Sequence, residues 1–240
     1  MRKSLEEAAK QKILILDGAM GTMIQRHKLG EEDFRGKRFS GHPSLQKGNN
    51  DLLVLTRPDI IGDIHREYLE AGADIITTNT FNSNMISMAD YGMTDLVHEL
   101  NYEAAKLAKG AVSAYEKSTG TTGHFVAGTL GPTNRTASMS ADVNDPGARS
   151  VSFDDLVDAY SGQVRGLIDG GVDILLVETI FDVPNCKAAL FAIDTVFGRK
   201  RNQVALLRYS EPLPMPAAGL SRVRHSRHSL FQYPISLFQR

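Results

Sequence analysis

Gly171–Asp182, GVDILLVETIFD, is the stretch whose reading decides the fold. A glycine turn opens it, a continuous apolar run follows (Val172, Ile174, Leu175, Leu176, Val177), and the run ends on Glu178. A short apolar run between turn signals reads as a strand buried on both faces, the kind that a parallel sheet needs. Glu178 then falls where the strand ends and its loop begins, the face of parallel α/β folds on which chemistry is done. The plainer reading is a solvated acid at a strand end.

Working outward, the same grammar repeats. Lys12–Asp17 (KILILD) predicts a first strand, closed by Gly18-Ala19-Met20-Gly21-Thr22. Two glycines in four residues allow a sharp turn and a close approach to a ligand, but the pattern is neither GxGxxG nor a P-loop, so no nucleotide site is read here. Residues 27–55 form a long irregular excursion, rich in Gly, Asn and charge, and loops of that length are usually functional or disordered. Thr56-Arg57-Pro58-Asp59 predicts a helix start with Thr56 as cap. Ile60, Ile61, Ile64, Tyr68 and Leu69 continue at helical spacing until Gly72. Ala73–Thr77 predicts the second strand, 94–117 a helix, and Phe125–Leu130 the third strand. Ser152 with Asp155 is a capping box for the next helix. The opening stretch is the fourth strand, and Pro184–Phe197 is its helix. Strand and helix alternating four times imply a parallel sheet with right-handed crossovers.

The chain also repeats itself. Gly72-Ala73-Asp74-Ile75-Ile76 aligns with Gly171-Val172-Asp173-Ile174-Leu175 at an offset of 99 residues, which places Asn79 on Glu178 and Thr80 on Thr179. A repeat spanning two βα units fits a (βα)n barrel, in which equivalent strands present polar residues at one mouth. Asp17, Asn79 and Glu178 would then meet there. A carboxylate suits an ammonium group and glycine-turn amides suit a carboxylate, as in an amino-acid receptor. The competing readings are that Asp17 caps its own turn and Asn79 satisfies loop amides. Cys186 reads as packing rather than as a nucleophile. His65 and His98 have no second ligand at metal spacing, so no zinc site follows from them.

Composition is that of an ordinary soluble domain, with 42% hydrophobic and 23% charged residues. No run nears the roughly 18 apolar residues of a membrane span. The charged N-terminus is unlike a secretory signal, and the single cysteine suits a reducing compartment, so a cytoplasmic location is expected and Asn134-Arg135-Thr136 would not serve as a glycosylation sequon. The net charge of −1 hides an asymmetry: eight Lys/Arg and one acid lie from Arg199 onward, which leaves 19 basic against 27 acidic residues before it.

Five stretches carry a resemblance: LDGAMGT (16–22), KGNNDLLVLTRP (47–58), EAGADIITTNTFN (70–82), VAGTLGPTNRTAS (126–138) and VETIFD (177–182). Over roughly 12–197 the sequence resembles the N-terminal homocysteine-binding domain family of cobalamin-dependent methionine synthases. The resemblance implies an α/β fold, the first half (about four βα units) of a (βα)8 TIM barrel. It implies homocysteine bound at the barrel mouth through zinc, and a methyl group passed from methyltetrahydrofolate through cobalamin to the homocysteine sulfur, giving methionine. Position by position it places Asp17 near that sulfur as the catalytic acid. Gly18 and Ala19 would supply amides for the substrate carboxylate, Glu178 would take its amino group, and Asn79 would line the pocket. Folate and cobalamin domains are the implied partners, with cobalamin bound outside this region. Neither a membrane nor nucleic acid is an expected partner.

Two departures stand beside this. The family's zinc cysteines, in Gly-x-Asn-Cys and Gly-Gly-Cys-Cys-Gly strand ends, are absent, and the last four strands of the barrel are missing. Residues 1–198 are therefore expected to be a partial barrel without a metal set. Residues 199–240 are expected to be an unrelated basic tail, disordered and read out of frame or from a retained intron; a basic interaction tail is the alternative. Methyl transfer is expected to fail in this chain, and a residual amino-acid-binding module is the second reading of its function.

Overall fold

A computed structural model describes residues 4–199, 205–209 and 235–238. In chain order the elements are α1 Leu5–Ala9, α2 Met20–Gln25, α3 Glu31–Arg35, α4 Leu53–Thr56, α5 Pro58–Glu70, β1 Ile75–Thr77, α6 Met85–Ala89 and α7 Val97–Thr119. There follow β2 Phe125–Leu130, α8 Phe153–Gly170, β3 Ile174–Val177, α9 Val183–Arg199, β4 Ala205–Tyr209 and β5 Ile235–Phe238. Strands β1 to β4 pair side by side in chain order and all parallel, and β5 joins β4 antiparallel. Helices α7, α8 and α9 lie between or after those strands, which is the alternation that the sequence predicts.

Side chains alternate across this sheet with the period of two that a strand imposes. Ile76, Val126, Leu175 and Val177 pack with the long helices in the largest core cluster, among them Val112, Tyr160, Leu167 and Ile193. On the opposite face Ile75, Phe125, Ala127, Ile174 and Leu176 pack against Leu5 and Ala8 of α1. With both faces covered, β2 and β3 are buried at every residue. The continuous apolar run of the opening stretch has this physical cause.

The internal repeat also has a structural counterpart. Asp74 and Asp173 immediately precede β1 and β3, and each ties its strand to the segment beside it. Asp74 accepts the Ile15 amide at 3.0 Å, and Asp173 accepts the Val126 amide at 2.8 Å. Each acid also holds a lysine, Lys12 and Lys109 respectively. Gly72 and Gly171, just before, have φ of +99° and +90°, a region that favours glycine.

Four expectations are corrected. Lys12–Asp17 lies along β1 but forms only one bridge, Leu16 to Ile75. Its other edge meets no strand among the described residues, and Ile13 and Ile15 are 91% and 58% exposed; a segment paired on one side only falls short of a full strand. Thr56 is not a cap but the last residue of α4, and Pro58 starts α5 after Arg57 without a side-chain cap. Residues 27–55 are not irregular throughout: they include α3, a 3-10 turn at Asn50–Leu52 and the first part of α4, with Leu52 and Leu53 fully buried. The tail expected to be disordered contains β4 and β5; the rest of 200–240 lies outside the described residues. The capping box at Ser152 is present, with Asp155 accepting from the Ser152 amide at 2.8 Å and Ser152 from the Asp155 amide at 3.1 Å.

Candidate functional site

The C-terminal ends of β1, β2 and β3 open on a cavity of about 460 Å³. Asp17, Gly18, Ala19, Asn79 and Glu178 all line it. Five residues from three distant parts of the chain are thus brought to one space, as the repeat suggested.

Asp17 does not cap its own turn. Its carboxylate reaches across to β1, accepting the Thr77 amide at 2.7 Å and the Thr77 hydroxyl at 3.0 Å, while its own amide donates to Ile75 O at 2.9 Å. Burial raises Asp17 to a pKa of about 6. The two Thr77 hydrogen bonds work against that rise, and the nearby Glu178 charge adds to it. Gly18 lies under Tyr68, whose hydroxyl donates to Ala19 O at 3.3 Å; a Cβ at Gly18 would sit 3.0 Å from that hydroxyl. Ala19 precedes α2 as its N-cap residue.

Glu178 follows β3 and is placed by its backbone, whose amide donates to Leu130 O at 3.1 Å. Burial raises its pKa too. Thr179 beside it has φ +58°, a left-handed conformation that a β-branched residue rarely adopts. Asn79, only 5% exposed, donates to Asn50 O at 2.7 Å. It therefore satisfies a loop carbonyl rather than loop amides, and it lines the cavity as well.

Among the lining residues that sequence reasoning missed, two are polar and deeply buried without a strand-end signal. Asp51 is 3% exposed and accepts the Asn82 amide at 3.3 Å, and burial lifts it to about 6. Its signal was an acid directly before the apolar run Leu52–Leu55, which carries the start of that helical segment inward. Thr129 is the polar residue within FVAGTL; its hydroxyl is buried and has no hydrogen-bond partner. Cys186 is half-buried on α9, packs against the main core cluster and is not part of the cavity wall. His65 is buried in α5, and His98 pairs with Asp169 at 3.0 Å.

The loop after β2 is fixed to the start of α9. Asn185 donates to Thr133 Oγ1 at 2.9 Å and to Arg135 O at 2.8 Å, and it accepts the Ala137 amide at 3.2 Å. Asp182 accepts the Ser138 amide at 3.1 Å and the Asn185 amide at 3.1 Å. The GPTNRTAS and VETIFD stretches therefore form one hydrogen-bonded unit beside the cavity.

The donor set in the cavity does not fit a thiolate zinc centre. Its ionisable side chains are carboxylates, with no sulfur of cysteine and no imidazole among the lining residues, whereas zinc of that kind takes cysteine sulfur and histidine nitrogen. Among the described residues no group of three or more His, Cys, Asp or Glu could hold a metal ion. Among them, too, no helix is long and apolar enough to cross a membrane.

Comparison with known proteins agrees with this architecture. The chain is similar in structure to the homocysteine methyltransferase MmuM from Escherichia coli. With the metallated form it shares 22% identity and a TM-score of 0.62, over 84% of this chain and 64% of that one. For the oxidized form the values are 21% and 0.63, over 86% and 64%. At such identity the likeness is one of fold, and the chain spans less than two thirds of the length of those proteins. The sequence profile of the homocysteine S-methyltransferase family matches residues 14–211, which is further than the motifs alone reach and takes in β4. This chain belongs to the homocysteine S-methyltransferase family.

Proposed function

We propose that this chain is the homocysteine-binding part of a methionine synthase of the cobalamin-dependent type, corresponding to the front part of a (βα)8 barrel that extends through β4. Homocysteine lies in the cavity at the strand ends. Glu178 takes its ammonium group, the Gly18 and Ala19 amides take its carboxylate, Asn79 lines the pocket, and Asp17 stands near the sulfur. The observation that carries this reading is the convergence of those five residues on one cavity. Chemistry agrees with it: a carboxylate whose pKa is raised by burial, as Glu178 is, gains most from a cationic partner. In a full-length enzyme of this type, folate and cobalamin domains would supply the methyl group, and the setting would be cytoplasmic.

Methyl transfer by this chain alone is not part of the proposal. Free thiols titrate near about 8.5, and in this chemistry a metal makes the thiolate at neutral pH. The cavity offers carboxylates rather than a sulfur and imidazole set. This observation favours the second reading, an amino-acid-binding module without catalysis.

Calorimetric titration with homocysteine tests the binding. The chain should bind, and Glu178→Ala should weaken binding by about tenfold or more, the usual worth of a charge-assisted hydrogen bond. Equal affinity in the variant would remove Glu178 from its role. Zinc-dependent methyl transfer by the unaided chain would contradict the second reading.

A further inference from the structure

Asp51 sits in a single 3-10 turn, Asn50–Leu52, beside the fully buried Leu52 and Leu53, yet it lines the same cavity as Asp17 and Glu178. No lysine, arginine or histidine joins them in the wall. The other ionisable groups that act close by are two tyrosines and one ion-paired arginine. Tyr91 senses Asp51 and Asp90, and Tyr68 senses Asp17. Arg26, which acts on Tyr68, is paired with Glu67.

An α-amino acid brings one ammonium and one carboxylate into this space. With all three acids ionised, the filled cavity would hold four negative charges against one positive. Like charges crowded in a buried site do not all stay ionised; protons are taken up instead. Glu178 faces the ammonium, and Asp17 accepts the Thr77 amide at 2.7 Å and the Thr77 hydroxyl at 3.0 Å, bonds that favour its ionised form. That leaves Asp51, the most buried of the three acids, as the group to be neutralised.

We propose that Asp51 is protonated in the filled pocket and donates a hydrogen bond to the bound amino acid, so that binding takes up a proton from solution. This rests on the reading of the cavity as an amino-acid site. The Thr129 hydroxyl gives independent support for ligand polar groups reaching this depth, because it is buried in the same wall with no partner of its own. Burial holds Asp51 near a pKa of about 6 in the empty chain. At about pH 7 it is therefore mostly ionised before binding and has a proton to gain. The sign follows. Binding is tightest below about pH 6 and weakens as pH rises, by up to about tenfold per unit for each proton taken up.

Titration of the full chain with homocysteine in phosphate and in Tris, near pH 7, reads proton uptake from the difference in heat. The wild type should take up protons. Asp51→Asn, whose amide can donate in place of the carboxyl proton, should still bind, with uptake lower by close to one proton and with a flatter pH profile. The thiol of homocysteine contributes equally to both and cancels in the comparison. Loss of binding in Asp51→Asn with its circular dichroism intact would overturn the proposal, because Asp51 would then be the charged partner of the ammonium. Uptake unchanged by the substitution would overturn it as well. If the variant does not fold, the wild type alone decides: affinity that is flat between about pH 6 and 8 refutes proton uptake. Failure of the wild type to bind homocysteine at any pH would overturn the amino-acid reading itself, a result distinct from the others.

Discussion

Glu178 and Thr179 illustrate how one residue is held in place by strain in the next. Thr179 adopts φ +58°, and for a β-branched residue that conformation costs on the order of 1–2 kcal/mol. Thr179→Gly should therefore leave stability unchanged or raise it by up to about 1 kcal/mol, since relief of strain is partly offset by added chain entropy. The same change should loosen the backbone that aims Glu178 and weaken homocysteine binding. Denaturant unfolding and calorimetry together check this; a variant that is both less stable and equally tight in binding would contradict it. At this scale Asp17 and Glu178 were legible because each ends an apolar run, and Asn79 because the repeat aligned it with Glu178. Asp51 and Thr129 were not, because burial at the cavity wall comes from tertiary packing that no local pattern records. Thr77, which receives Asp17, was hidden for the same reason.

Helices α7 and α8 cross closely because α8 carries glycine at the contact. A Cβ on Gly166 would come within 2.7 Å of Asn101 Cβ and of His98 O. Helix propensity alone favours alanine over glycine by about 1 kcal/mol, whereas overpacking a fitted contact costs about 1–3 kcal/mol. Gly166→Ala should therefore destabilise the chain by up to about 2 kcal/mol in urea unfolding, and a stabilised variant would show that the helices can separate freely. Elements with strong local signals were legible in sequence: β2 has the predicted bounds, and the capping box starts α8. Lys12–Asp17 was not, since its apolar residues predict a strand while strand character also requires neighbours. Thr56 read as a cap because a following Pro-Asp suits a helix start; the preceding turn of helix, α4, depends on the buried Leu52 and Leu53.

For the whole molecule, the open side of residues 12–17 matters most. Ile13 and Ile15 are exposed there, next to backbone that pairs with β1 on one side, and such edges invite association. The chain should show concentration-dependent association in sedimentation, reduced by Ile13→Lys; a strictly monomeric wild type would contradict this. The parallel α/β architecture was legible from four alternations of strand and helix, and the family profile now covers 14–211. The strands β4 and β5 were not foreseen, because the basic, proline-containing sequence around them masks short apolar segments.

One cavity at the strand ends is proposed to bind homocysteine through Glu178. A crystal structure of the full chain soaked with homocysteine tests it most directly. Ligand density between Glu178 and the Gly18–Ala19 turn, with the ammonium against the carboxylate, is the predicted result. Density elsewhere, or an empty cavity at saturating homocysteine, would rule out binding through Glu178.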